Sequence, residues 1–436
     1  MKPAFLDYAR APRAAVVFGC LLPAPWMGVA TGLLLAVGPS SGLPDRFAPL
    51  TLALVHALAL GMLLPVMLGA LFQMMPVVAH VDVRGMKRVA SWVAAVAAGT
   101  ALALGVGFVD GSRAGFRAAT LGGAPFLLAV GGLLWMSGRR VRRQDATTRT
   151  LAGVGGALCV AVACGGMLAG LLGGLWPAPM PLWLALHVSW GLGGWLGTLV
   201  MGVSMTVLPM FWQAPRPPRW AERAVPAVPW ALLVLDGAVR VAWPALAPYA
   251  ALPWLAAMFV LAVTALAGML RARRRHDPAW VLWVVAWASG AMAALLAALA
   301  PAQGGTWPLA WWIGTLALVG GGVLPVTAML GKIVPFLVWL QLRRLLPPRT
   351  RVPTMQEVIA PRRQRAQALL LLAAYAQCLA LPLAPTWLAA TAGLTFAAAN
   401  AWLGWQLLSA LRCLRRVVRQ GGLPPRAGWI GEDSGP

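Results

Sequence analysis

Residues 56–76 read HALALGMLLPVMLGALFQMMP, a stretch of 21 residues that contains no Asp, Glu, Lys or Arg. A helix needs about 20 apolar residues to cross the hydrocarbon core of a bilayer, so this stretch is long enough to span it. The rest of the chain is similar: 60% of the 436 residues are hydrophobic and 11% are charged, against about 25% charged in ordinary soluble domains. The sequence therefore predicts an all-α, polytopic membrane protein without a sizeable soluble domain.

Apolar stretches of this length recur along the whole chain. Twelve transmembrane helices are predicted, at residues 14–38, 48–79, 88–109, 116–138, 150–176, 182–212, 224–247, 250–270, 279–300, 306–340, 366–384 and 386–411. An even number of spans places both termini on the same side of the membrane. We expect residues 1–436 to form a single membrane domain with a basic loop at 341–365 and a basic tail at 412–436.

The basic residues test this topology, because Lys and Arg are retained on the cytoplasmic side of a membrane. Thirty of the 35 lie in the alternate segments that share a side with the N-terminus, three lie on the other side, and two lie inside spans. The asymmetry predicts cytoplasmic N- and C-termini in a bacterial inner membrane. It also accounts for the net charge of +24, so no nucleic-acid partner is expected. The basic loop is expected to be solvated, with anionic lipid head groups or another membrane subunit as alternative partners.

Helices two, six and ten end in a common pattern, in which a small residue is followed after six residues by proline. The pairs are Gly69 and Pro76, Gly202 and Pro209, and Ala328 and Pro335. A polar residue lies four positions after each small residue: Gln73, Thr206 and Lys332. Since the pattern recurs every fourth helix, it predicts three four-helix units. Proline releases a backbone carbonyl, and the polar side chain could satisfy it.

Histidine opens two of these three helices. His56 begins helix two, and His187 begins helix six, which reads HVSWGLGGWLGTLVMGVSMTVLP at 187–209. They are the only two of the four histidines that lie inside spans, where polar side chains are costly and usually face the interior of the bundle. Each is either a metal or haem ligand or a structural histidine bonded to a backbone carbonyl.

Twelve helices with cytoplasmic ends, and a histidine near the outer end of helices two and six, resemble the catalytic subunit of haem-copper oxidases and nitric oxide reductases, or distant relatives such as the NnrS family. The resemblance implies a pseudo-threefold ring of three four-helix arcs. It also implies that His56 ligates a low-spin haem and that His187 ligates copper.

The chain departs from this family at the other ligand positions. Helix ten has no histidine where the family has two haem ligands, helix seven lacks the histidine pair that completes the copper site, and helix six lacks the tyrosine of many oxidases. Conventional oxygen reduction is therefore not expected, nor is copper. A single haem, an altered metal site or a scaffold without a cofactor is compatible with the residues that are present.

Three charged residues lie inside the predicted spans. Asp236 and Arg240 are four residues apart on helix seven, so they share a face and can form an ion pair, or Arg240 can instead bind a haem propionate. Lys332 either reaches the cytoplasmic interface or bonds to released carbonyls or an anion inside the bundle. Five cysteines lack CxxC or metal-ligand spacing, so we expect no disulfide framework.

The leading hypothesis is an inner-membrane, oxidase-type protein that binds haem or a metal at His56 and has a redox, nitric-oxide-related, sensing or assembly role. A secondary transporter for a small anion is an alternative, since twelve helices also suit permeases, but a permease predicts two six-helix halves or inverted repeats. A non-catalytic subunit of a respiratory complex is a third possibility.

Overall fold

The computed structural model describes residues 7–142, 145–303 and 308–423, and this part of the chain is helical, without a β-strand. Ten helices are long and apolar enough to cross a membrane, as in a multi-pass membrane protein. They are α1 (Ala14–Val37), α2 (Pro49–Val77), α3 (Met86–Asp110), α4 (Arg113–Gly138), α5 (Ala146–Leu172), α6 (Met180–Trp212), α8 (Leu252–Leu270), α9 (Pro278–Leu299), α10 (Leu309–Leu345) and α11 (Pro361–Leu383).

The remaining two predicted spans are also helices, but each differs from the ten. Helix α7 (Val228–Ala242) has only 15 residues, about 22 Å of helix against a hydrocarbon core of about 30 Å. Helix α12 (Pro385–Arg419) has 35 residues and is less apolar, because it includes Asn400 and Gln406, both buried against the protein. A helix therefore lies at each of the twelve predicted positions, and ten of these helices have the length and composition of a membrane span.

Four helices contain a π-helical segment, in which the turns are wider than in an α-helix. The segments are Ala57–Leu63 in α2, Ala119–Gly123 in α4, Ser189–Gly197 in α6 and Thr315–Val323 in α10. Three of them end two residues before a proline: Pro65, Pro125 and Pro325. Proline has no N–H and cannot donate to the carbonyl four residues earlier. A local change from the α-helical pattern, with hydrogen bonds between residues four apart, to the π-helical pattern, with hydrogen bonds between residues five apart, keeps the neighbouring carbonyls bonded.

Helices α2, α6 and α10 meet at Gly322. A Cβ atom built on this glycine would lie 3.0 Å from a methyl of Leu63 in α2 and 3.3 Å from a methyl of Leu196 in α6. Leu63, Leu196 and Gly322 each lie 13 residues before the proline of the repeated pattern in their own helix. The three helices that share the sequence pattern thus touch at equivalent positions.

Small residues bring neighbouring helices close together. In α1 a Cβ atom at Gly32 would lie 2.5 Å from the nitrogen of Ala397 and 2.6 Å from the carbonyl oxygen of Gly393, both in α12. In α5 a Cβ atom at Gly155 would lie 2.6 Å from the carbonyl oxygen of Gly131 in α4. Backbones at this distance gain dispersion energy along the whole contact, which drives helix association in a bilayer. The first and last helices are therefore joined, so the bundle closes on itself.

One end of the bundle carries the N-terminal segment and the connections after α2, α4, α6, α8 and α10, and we call it the basic face. Arg10 donates to the carbonyl of His80 at 2.9 Å, and Arg344 donates to the carbonyl of Ala11 at 2.9 Å. The predicted basic loop 341–365 is shorter in the structure, because α10 continues to Leu345 and α11 begins at Pro361.

The predicted basic tail 412–436 begins as helix, since α12 continues to Arg419. Its residues 424–436 lie outside the described part of the chain. All five cysteines are free in the structure.

Candidate functional site

The structure brings His56 and His187 together. Their ring centroids are 6.2 Å apart and the ring planes differ by 4°. Both residues are half-buried, with the rings inside the bundle between α2 and α6. His56 directly precedes the π-helical segment Ala57–Leu63 of α2, and His187 lies two residues before the π-helical segment Ser189–Gly197 of α6. Such segments are frequent at functional sites.

His56 is fixed by its own helix and by α3. Its Nδ1 is 2.8 Å from the carbonyl oxygen of Leu52, one turn earlier in α2. Its ring also packs against Phe108 of α3, with ring centroids 5.2 Å apart. These two contacts set the rotation of the imidazole and leave its Nε2 on the side away from the Leu52 carbonyl.

His187 is fixed by α5, the helix that precedes it in the chain. Its Nδ1 is 3.0 Å from the carbonyl oxygen of Ala161. One turn further along α5, Gly165 leaves room for the ring: a Cβ atom there would lie 2.8 Å from Cε1 of His187 and 3.1 Å from Nδ1. The imidazole therefore rests directly on the backbone of α5 at a glycine.

The hydrogen bonds determine which ring nitrogen carries the proton. A carbonyl oxygen only accepts, so the Nδ1 atom of each histidine must be the donor. A neutral imidazole with its proton on Nδ1 has a free lone pair on Nε2, the form in which histidine ligates a metal while a backbone carbonyl orients it. Two such lone pairs occur in adjacent rings. Elsewhere in the described ranges, no group of three or more His, Cys, Asp or Glu side chains is placed to hold a metal ion.

Asp236 and Arg240 form an ion pair on α7, with Nε of Arg240 2.9 Å from Oδ1 of Asp236. Asp236 is fully buried, and Ser189, two residues after His187, lies beside its carboxylate. Gly237 packs against Leu186, the neighbour of His187. The pair thus lies alongside the start of the π-helical segment of α6. Charge neutralisation explains its burial, and a contact of Arg240 with a propionate stays a prediction.

Lys332 has an ionic partner that was not predicted from the sequence. Its Nζ donates to Asp277, the residue that caps the N-terminus of α9 by accepting from the backbone N–H of Ala279 at 3.0 Å. Nζ also lies 5.8 Å from the centre of the Trp212 ring. The sequence predicts that Lys332 either reaches the cytoplasmic interface or bonds to released carbonyls or an anion. In the structure its partner is the Asp277 carboxylate, at the start of α9 on the basic face.

The other two residues of the repeated pattern have separate surroundings. Thr206 is 2.8 Å from the hydroxyl of Thr147 in α5, and the buried Oε1 of Gln73 has no hydrogen-bond partner within the described residues. The carbonyl of Gly331, which Pro335 releases, accepts from Nε2 of Gln364 in α11 at 3.2 Å. The carbonyl that Pro335 releases therefore accepts from a side chain of α11, whereas Lys332 bonds to Asp277.

A second group of buried polar side chains joins α11 to α12. Gln367 donates to the carbonyl of Ala399 at 3.1 Å, and Gln406 donates to Oε1 of Gln367 at 3.2 Å. These amides were not among the residues predicted from the sequence, although glutamine inside an apolar helix indicates an interhelical hydrogen bond. Gly165 gave no such signal, because it is one of 48 glycines. Asp277 directly precedes Pro278, which is a recognisable helix start.

Comparison with known proteins adds nothing to this geometry: no family matched the chain, and no curated protein sequence matched it either.

Proposed function

We propose that this chain is a membrane haem protein in which His56 and His187 together hold one haem iron. The observation that carries the proposal is the facing pair of imidazoles, each with Nδ1 bonded to a backbone carbonyl and Nε2 free. A structural histidine makes the same single bond, so the support for a ligand comes from the pairing. Two parallel rings, each with Nδ1 bonded to a backbone carbonyl, meet from residues 131 positions apart in the sequence.

The separation of the rings supports a shared ligand. The two rings are parallel and their centroids are 6.2 Å apart, so one bound group could contact both imidazoles. Imidazole nitrogens bind metal ions at about 2 Å.

The donor set favours haem over a bare ion. A protein-bound transition-metal ion usually needs a third and a fourth protein ligand, and within the described ranges no third His, Cys, Asp or Glu joins the pair. A porphyrin supplies four ligands itself, so two histidines complete its iron. A haem held by these two histidines would supply one-electron chemistry.

The residues around the pair would control the orientation and the solvent access of the cofactor. The Leu52 and Ala161 carbonyls hold the imidazoles in their tautomer, Gly165 sets the depth of His187, and Phe108 covers one side of His56. We infer a redox or assembly role from this arrangement, in place of the two separate centres that the family resemblance implies for His56 and His187.

The proposed scaffold is the twelve-span, pseudo-threefold bundle of the haem-copper oxidase type, with cytoplasmic termini in a bacterial inner membrane. It is supported by the contact of Gly322 in α10 with Leu63 in α2 and Leu196 in α6, at equivalent positions of the three helices that share the sequence pattern. A period of four helices disfavours the two six-helix halves of a permease. No observation in the structure favours the transporter or the structural-subunit hypothesis.

Absorbance spectroscopy tests the haem proposal directly. The chain is expressed with a haem precursor, purified in detergent and scanned for a Soret band, and the haem content per chain is measured. We expect about one haem per chain, and we expect His56→Ala and His187→Ala each to lose the low-spin spectrum. His276→Ala, at an exposed histidine on the basic face, is the matched control and should keep the spectrum. A wild-type chain without a Soret band, or one whose band survives both substitutions, would refute the proposal.

A further inference from the structure

A deep groove opens between α6 and α8 at the basic face. Its volume is about 470 Å³, within the range of small-molecule pockets. Its walls are Leu208 and Pro209 of α6 and Leu261 and Val263 of α8, and its rim is the connection 214–221. None of its lining residues comes from α7, which packs against α8 and against the π-helical segment of α6.

The groove faces the lipid. Val263, which lines it, is 41% exposed, and Val260 and Leu270 on the same helix are also exposed. Exposed valine and leucine in the middle and last turns of an apolar helix are typical of a surface that contacts acyl chains. Trp220, on the rim, is half-exposed as well, and tryptophan is enriched at the boundary between acyl chains and head groups.

Two arginines lie at the rim, and none of the lining residues is acidic. Arg216 has no hydrogen-bond or ion-pair partner among the residues that the structure describes, and Arg271 bonds through Nε only to the carbonyl of Ala267, one turn earlier in α8. A guanidinium without a carboxylate partner can bind a phosphate through two parallel hydrogen bonds. The groove thus combines apolar walls at acyl-chain depth with unneutralised positive charge at head-group depth.

We propose that this groove is a binding site for one anionic phospholipid, with an acyl chain between α6 and α8 and the phosphate at Arg216 and Arg271. The charge at the rim selects an anionic head group over a zwitterionic one, since basic pockets between transmembrane helices on the cytoplasmic side retain anionic lipids. The site is separate from the histidine pair, and it does not depend on the proposed haem.

Native mass spectrometry of the full chain tests the site, with phosphatidylglycerol or phosphatidylcholine added to the detergent micelles. We expect one phosphatidylglycerol to remain on the wild-type chain after detergent exchange and phosphatidylcholine to be lost. The double variant R216Q/R271Q should bind phosphatidylglycerol about thirtyfold more weakly, the loss expected for two arginines near an anionic head group.

Two further variants separate the groove from general surface charge. R219Q/R273Q removes the same charge from neighbouring exposed positions outside the groove and should retain the lipid. Gly268→Phe fills the groove and leaves both arginines in place. A Cβ atom at Gly268 meets no other atom within 4 Å, so helix α8 tolerates a side chain there. This variant should lose the lipid. Equal retention of both lipids, or equal loss in the two double variants, would overturn the proposal, as would full retention in Gly268→Phe.

Discussion

Gly165→Ala is the most specific perturbation of the histidine pair, because it adds one methyl group beside His187 without changing either imidazole. The new Cβ atom would lie 2.8 Å from Cε1 of His187, whereas ordinary contacts begin at 3.4 Å. The ring must therefore retreat from α5 by about 0.6 Å, which exceeds the roughly 0.5 Å within which a binding site must hold its ligands.

The same movement breaks the bond that orients the ring. Nδ1 of His187 is 3.0 Å from the carbonyl oxygen of Ala161 on the helix from which the ring is displaced. A retreat by about 0.6 Å lengthens this distance to about 3.6 Å, which is no longer a hydrogen bond. The lost bond costs about 1 kcal/mol, and the overpacking adds about 1–3 kcal/mol.

We expect Gly165→Ala to weaken cofactor binding by about 10- to 100-fold, as is usual when a group that orients a ligand is removed. The measurement is the haem content per chain and the Soret absorbance after purification, together with the thermal unfolding midpoint. Gly156→Ala on the same helix is the matched control, since its nearest neighbour is Trp135 at 3.8 Å, and it should keep the wild-type spectrum. If Gly165→Ala retained the haem content and spectrum of the wild type, His187 would not be held as a ligand in the way described.

Three further predictions concern stability and are measured by thermal unfolding of the purified chain. Gly32→Ala should destabilise the bundle by about 3 kcal/mol, because the new Cβ atom meets backbone atoms of α12 at 2.5 Å. The control Gly19→Ala has open space around the new methyl group and should be neutral or slightly stabilising. Equal unfolding midpoints for the two variants would contradict the close approach of α1 and α12. The Asp277→Ser variant should be about 1 kcal/mol more stable than the Asp277→Ala variant, because serine keeps the N-terminal cap of α9 while both variants lose the ion pair with Lys332. Identical stabilities of the two variants would exclude the capping role. Arg240→Ala should cost about 3 kcal/mol and be partly restored by adding Asp236→Asn, because a buried carboxylate is left without its partner; a loss of haem from a still-folded Arg240→Ala chain would instead indicate a propionate contact.

The membrane fold could be predicted well, because hydropathy is a local property. Twelve apolar stretches were predicted, and a helix lies at each of them. Some helix lengths differ from the predicted ones for local reasons that a hydropathy average over many residues does not show. Helix α7 ends at Ala242 and is 15 residues long, although the apolar stretch around it is longer, because Pro226, Pro229 and Pro244 limit the helix.

The candidate site was predicted in part. His56 and His187 were identified because histidine is costly inside a span, and the pair of Asp236 and Arg240 followed from helical spacing. The partner of Lys332 was missed, because Asp277 belongs to a different helix and no local pattern joins the two positions.

The sequence by itself determined that the chain crosses a membrane several times, where the helices lie and which two histidines are inside. These properties follow from the transfer free energy of short segments, which depends on each segment alone. Only the tertiary structure decided that the two imidazoles face each other at 6.2 Å, that a glycine of α5 makes room for one of them, and that α7 leaves a groove beside α6. Those features depend on packing between separate helices, and for the two histidines the positions are 131 residues apart. The free energy then belongs to the contact and not to either segment.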